Sequence, residues 1–139
     1  MPTFLELGVP APLASVLAAE GKTEAFAIQR DTLPDSLAGR DLLGRGRTGS
    51  GKTIAFAIPL VARLTDSGRK SRPGHPRGLI LAPTRELATQ IAAVVAPLAA
   101  AVACASPPSS VASASAHRSR RFAAASISSS RALAASKTS

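Results

Sequence analysis

The chain reads as an α/β protein: an incomplete P-loop domain built on a parallel sheet, followed by a disordered tail. Three observations point there. A short apolar segment, Asp41 to Gly44, runs into a glycine-rich loop, Gly46 to Lys52, that opens a long apolar helix. A second apolar run, Leu79-Ile80-Leu81-Ala82, has strand length and is followed by a second helical pattern. The order strand, loop, helix, loop, strand, helix is that of an α/β sheet.

In chain order, Pro10 to Glu20 is predicted to be a helix from Leu13, Val16 and Leu17, with Gly21 as its stop. Thr23 can cap a second helix from about Glu24 to Asp31, ended by Leu33-Pro34. A turn at Asp35 to Gly39 leads into the strand expected at Asp41 to Gly44. From Lys52 onward, Ile54, Phe56, Ile58, Leu60, Val61 and Leu64 predict a mostly buried helix kinked at Pro59. Residues 67–78 form a basic Gly/Pro loop. Leu79 to Ala82 is expected to be a parallel strand buried on both faces, and Arg85 to about Val95 a helix.

Composition divides the chain. Its 139 residues carry 17 Lys and Arg against 8 Asp and Glu. Residues 1–102 hold 12 basic and 8 acidic side chains, net +4, whereas residues 103–139 hold five basic and none acidic, net +5. All ten glycines lie at or before Gly78, and the last 37 residues contain 12 Ser and 11 Ala. A single cysteine, Cys104, excludes an internal disulfide framework and fits a reducing compartment. Apolar runs are interrupted by Pro or Arg before the ~20 residues that span a bilayer, and no signal peptide is read at Met1 to Glu6. A soluble, cytoplasmic protein with no membrane association is expected.

Gly46 to Thr53 matches GxxxxGK[ST], the phosphate-binding loop. Its glycines let backbone N–H groups curl around phosphate oxygens, and the helix N-terminus adds partial positive charge. Lys52 would reach the outer phosphates and the Thr53 hydroxyl would take one position on Mg²⁺. Gln29 carries an amide able to pair with the N6 and N7 edge of adenine. Pro83, Thr84, Arg85 and Glu86 open a helix, where a hydroxyl, a guanidinium and free N–H groups can hold an anionic backbone. A capped helix start with a surface ion pair is the plainer reading of that segment alone. His75, His117 and Cys104 stand without partners for catalysis.

Together these segments resemble the DEAD-box family of ATP-dependent RNA helicases over residues 1–102. The resemblance implies a RecA-like domain. It makes residues 1–31 the Q-motif region, with Gln29 reading adenine and Phe4 packing near the base, and residues 32–102 a partial ATP-binding domain. Thr48, Gly49, Ser50, Gly51, Lys52 and Thr53 would bind ATP with Mg²⁺ at Thr53, and Pro83, Thr84, Arg85 and Glu86 would contact RNA. The Pro and Ser/Thr usual ahead of the glutamine are replaced around Ala25 to Ala27. The D-E-A-D segment that supplies the family's catalytic groups does not occur in the chain, so no catalytic residue is assigned. A fragment inactive in hydrolysis is expected; a non-enzymatic nucleotide- or RNA-binding fragment or a pseudogene product is the alternative. A P-loop kinase has no use for the Pro83 to Ala88 segment.

The tail, residues 103–139, is either a disordered basic Ser/Ala arm or a shifted reading frame in a GC-rich gene. Each tail residue fixes two bases of the codon in the neighbouring frame. From Ala103 that frame permits G-L-R-V-A-T-V-F-G-G-V-G-Q, and from Ser126 to Ser139 it permits V-D-[IL]-V-V-A-C-P-G-R-L-E-D-L. Both resemble the family's segments beyond residue 102, in the right order. We expect the frame shift, and with it too few strands to cover the helix that begins at Lys52. Resequencing across codons 102 and 103 is expected to restore an open helicase frame with D-E-A-D downstream; an unshifted frame with no such segment in any frame overturns it.

Overall fold

The computed structural model describes residues 1–67, 76–105, 112–118 and 123–129. Four helices, α1 (Ala11–Ala19), α2 (Ala27–Leu37), α3 (Lys52–Asp66) and α4 (Arg85–Ala105), are accompanied by strands β1 (Gly78–Ala82), β2 (Ala112–Arg118) and β3 (Ala123–Ser129). His75 and most of the basic Gly/Pro loop lie outside the described residues, as do residues 106–111, 119–122 and 130–139.

Local chemistry explains where the helices stop. At the end of α1, Gly21 takes φ +75°, and the Lys22 N–H reaches back to the Leu17 carbonyl at 2.8 Å. α2 ends the same way: Gly39 takes φ +89° and the Arg40 N–H donates to the Asp35 carbonyl at 3.0 Å. α2 begins at Ala27 and continues through Pro34 to Leu37, later at both ends than expected. Pro34 has no N–H for the Arg30 carbonyl one turn back, and the Ser36 hydroxyl donates to the Thr32 carbonyl at 2.8 Å. α4 likewise runs past Val95 and through Pro97 to Ala105.

The core is made by helices. Leu13 and Leu17 of α1, Leu33 of α2, Ala57, Ile58 and Val61 of α3, and Ala88, Ile91, Val95 and Leu98 of α4 bury together, joined by Phe4 and Val9. α3 is packed between α2 and α4, so its apolar face is covered by helices where a sheet was expected to be lacking. The N-terminal segment is tied in by a bridge between Thr3 and Glu24 and by the Ala25 N–H on the Pro2 carbonyl at 3.1 Å. Thr3 donates its N–H to the Glu6 carboxylate at 2.7 Å, which holds that carboxyl below its ordinary range. A depressed carboxyl stabilises this turn above the ordinary carboxylate range, and the contribution is lost as the pH falls through the lowered value.

Four expectations are corrected. Asp41 to Gly44 is not a strand: residues 41–49 are exposed and outside any ladder, and Leu43 is fully exposed. Two apolar residues between glycines offer a strand only if a neighbouring strand pairs with them, and none of the described strands does. The sheet is not parallel; its order is β1-β3-β2 with both pairings antiparallel, Gly78 opposite Ile127 and Ala82 opposite Ala123. Nor is the tail disordered at 112–118 and 123–129, which form β2 and β3. The Ala/Ser alternation of Ala112 to Ala116 is a period of two, the strand signal outweighed by the segment's low complexity. β1 is not buried on both faces, for Leu79 and Leu81 are exposed while Ala82 is buried.

α4 contains a stretch, Arg85–Ala103, long and apolar enough to cross a membrane by length and composition. Its buried residues Ala88, Ile91, Val95, Leu98 and Ala99 recur at helical spacing and face α1 and α3, which is the pattern of a core helix. Ile58 is fully buried at the centre of this packing. Ile58→Ala is expected to destabilise the chain by about 2–5 kcal/mol in chemical denaturation.

Candidate nucleotide-binding loop

The glycine-rich loop forms ahead of α3 as the sequence requires. Gly49 and Gly51 take φ +81° and +83°, conformations that cost an L side chain strain, and Gly51 is the N-cap of α3. The Ser50 N–H donates to the Arg47 carbonyl at 3.2 Å and closes the turn. Lys52, the first residue of α3, reaches back so that its Nζ donates to the carbonyls of Gly46 at 2.6 Å and Arg47 at 2.5 Å. The loop is thus curled around its own ammonium group. Thr53 is half-buried in the first turn of α3, and Thr48 and Gly49 are exposed.

The Ser50 hydroxyl is buried without a hydrogen-bond partner and lies 2.7 Å from where a Cβ on Gly46 would sit. A buried orphan hydroxyl beside an ammonium and a helix N-terminus suits a phosphate oxygen, which would accept from all three. Among the described residues no group of His, Cys, Asp or Glu could hold a metal ion.

Gln29 and Phe4 occupy positions unlike those expected of them. Phe4 is 3% exposed and belongs to the core. Gln29 is 1% exposed, and both ends of its amide are used inside the protein. Its Oε1 accepts the Phe26 N–H at 2.9 Å, and its Nε2 donates to the Gly51 carbonyl at 3.0 Å. The side chain therefore links the start of α2 to the start of α3. Phe26, which the sequence reading did not single out, is 55% exposed. Its ring carbon Cδ2 lies 2.8 Å from the position a Gly51 Cβ would take. An aromatic residue two positions before Ile28 in an otherwise small-residue stretch, Ala25 to Ala27, was the available signal.

Pro83, Thr84, Arg85 and Glu86 are exposed between the end of β1 and the first turn of α4. The Thr84 Oγ1 accepts the Leu87 N–H at 3.2 Å, capping the helix and leaving its own proton free to donate.

A sequence model described as DEAD/DEAH box helicase matches residues 26–131, more than half of the chain. The chain belongs to the DEAD/DEAH box helicase family. Among the relatives of this chain, DEAD-box ATP-dependent RNA helicase 3 of Helianthus annuus is 52% identical over 89 residues, covering 61% of this chain and 38% of the relative. Maize DEAD-box ATP-dependent RNA helicase 3A, chloroplastic, is 51% identical over 61% of this chain and 12% of its own length. SrmB of Escherichia coli K12, an ATP-dependent RNA helicase, is 47% identical over 65% of this chain and 20% of its own. The crystal structure of the RNA helicase Prp28 from Chaetomium thermophilum bound to ADP superposes with a TM-score of 0.67 and 39% identity, covering 73% of this chain and 25% of that one. The chain thus spans well under half the length of these relatives.

A Cβ added to Gly51 would lie 2.4 Å from Gln29 Nε2 and 2.8 Å from the Phe26 ring, at a φ that L residues avoid. Gly51→Ala is accordingly expected to lower the thermal midpoint and to detach Gln29 from the loop, whereas Gly21→Ala, whose Cβ would meet nothing, is expected to show only the backbone penalty.

Proposed function

We propose that this chain binds the triphosphate of ATP with Mg²⁺ and contacts an RNA backbone, and that it does not hydrolyse ATP on its own. The supporting observation is the loop Gly46 to Thr53, held with two left-handed glycines at the N-terminus of α3, in a chain of the DEAD/DEAH box helicase family. Lys52 would exchange the Gly46 and Arg47 carbonyls for phosphate oxygens. Gly49 and Gly51 allow the backbone to pass close to those oxygens, the Ser50 hydroxyl acquires a partner, and Thr53 presents its oxygen to Mg²⁺. Bound Mg²⁺ supplies charge neutralisation at the phosphates. Gln29 and the buried Phe4 act beneath the loop, holding α2 and the N-terminal turn in place. ADP in the Prp28 structure supports a nucleotide as the ligand.

On RNA, the exposed Thr84 and Arg85 would donate to phosphate oxygens from the N-terminus of α4, with Pro83 and Glu86 shaping the entry. Such contacts position a strand without reading its bases. Residues 103–139 are proposed to arise from a shifted frame, so that the strands β2 and β3 complete the edge of β1 without adding catalytic groups.

Hydrolysis needs a positioned water, an acidic metal ligand and charge stabilisation in the transition state. The loop supplies Lys52 and a helix N-terminus for phosphate charge, but no carboxylate for the metal and no group to position the water. Purified protein is expected to bind a fluorescent ATP analogue in the presence of Mg²⁺, to lose that binding by tenfold or more with Lys52→Ala, and to show no RNA-stimulated phosphate release. Release that depends on Lys52 overturns the inactive reading, and failure of the wild type to bind overturns the nucleotide reading.

A further inference from the structure

We propose that the open edge of β1 is a self-association surface, on which a second copy of this chain pairs its own β1 antiparallel about a two-fold axis at Ile80. The contact is independent of the nucleotide reading and follows from the sheet. Strand order is β1-β3-β2, so among the described strands β1 has a neighbour on one side only. None of the described backbone hydrogen bonds outside the ladder involves Gly78 to Ala82. Such an edge leaves a row of N–H and C=O groups that another extended chain satisfies.

The side chains decide which chain fits. Ala82 is buried and Gly78 abuts Leu60 and Leu64 of α3, so the even-numbered positions of β1 face the helices. Leu79 and Leu81 stand on the other face and are 59% and 64% exposed. Antiparallel pairing through Ile80 sets Leu79 opposite Leu81 of the second copy, and Leu81 opposite its Leu79. All four leucines then meet on one face of a sheet that runs unbroken from one copy into the other. The opposite edge belongs to β2, whose sequence Ala-Ser-Ala-Ser-Ala-His-Arg has no large apolar residue to match them. Pairing β1 with β1 also closes on itself, whereas β1 on β2 would repeat from copy to copy. Size and charge set the strength. A five-residue strand with two leucines on each copy buries less than the about 1,200 Å² of a stable complex, so the dimer is a weak one. The net charge of +9 on each copy opposes it at low salt.

Sedimentation of the full, nuclease-treated chain is expected to show a monomer–dimer equilibrium with a dissociation constant between about 10 µM and about 1 mM, tightened by added salt. Leu79→Lys and Leu81→Lys, both at exposed positions, are each expected to raise that constant by at least about tenfold while leaving the circular dichroism of the dilute protein unchanged. Cross-linking checks the register. With Cys104→Ser as background, a mixture of Leu79→Cys and Leu81→Cys chains is expected to oxidise to a disulfide-linked pair faster than either chain alone. A chain that stays monomeric at about 1 mM overturns the proposal. So do association that neither lysine weakens, and cross-linking no faster in the mixture. Assemblies beyond the dimer overturn it in favour of β1 on β2, and association that salt weakens overturns it in favour of bridging by nucleic acid.

Discussion

The amide of Gln29 is the interaction on which the arrangement around the loop depends. It is the buried polar side chain in a core otherwise made of apolar residues, among those described. A buried amide is tolerable only when its nitrogen and its oxygen each find a partner, and leaving a buried polar group unpaired costs about 1–3 kcal/mol. Here the pairing partners are the N–H of Phe26, the N-cap of α2, and the carbonyl of Gly51, the N-cap of α3. The cost of burying the group is thereby converted into a fixed spacing between two helix starts. Gly51 must be glycine for the same reason, since Gln29 and Phe26 occupy the volume a side chain would need.

From that junction the rest of the packing follows. α3 leaves the loop with Ala57, Ile58 and Val61 turned inward, and α2 and α4 close over them. The start of β1 is set against the same helix, because a Cβ on Gly78 would lie 3.0 Å from Leu64 and 3.2 Å from Leu60. The sheet is the less finished part. Residues 41–49 run exposed, and Leu79 and Leu81 project from β1 into solvent. A strand pattern that is apolar on both faces belongs to a sheet covered on both faces. In this chain, which spans only part of its relatives' length, β1 instead pairs with β3 from the tail.

Loop and helices were legible in the residues because their determinants are local. GxxxxGK[ST] demands left-handed backbone at fixed offsets from a helix start, and Gly49 and Gly51 adopt it. Leu13 and Leu17, and Ile58 with Val61, bury at the spacing that marked them as helical. The helix end at Gly21 follows from glycine's access to positive φ, whereas α2 was expected to stop at Leu33-Pro34 and instead ends before Gly39. Family membership was legible too, since it resides in the loop and in the Pro83 to Ala88 segment. Helix lengths were less so: Pro34 and Pro97 stand inside helices whose packing outweighs the donor each lacks.

What only the tertiary structure decided is which groups meet. Strand pairing joins residues 78–82 to residues 123–127, a separation that no local pattern encodes, and it turned an expected parallel sheet into an antiparallel one. Burial placed Phe4 in the core and spent the Gln29 amide on Gly51, leaving Phe26 as the aromatic at the loop. The sequence by itself determined that a tight glycine loop would open α3 at Gly46 to Thr53, because backbone conformation and helix capping act over a few residues. The surroundings of that loop were settled by packing between helices distant along the chain, where solvent exposure is decided by the whole core and by no single segment.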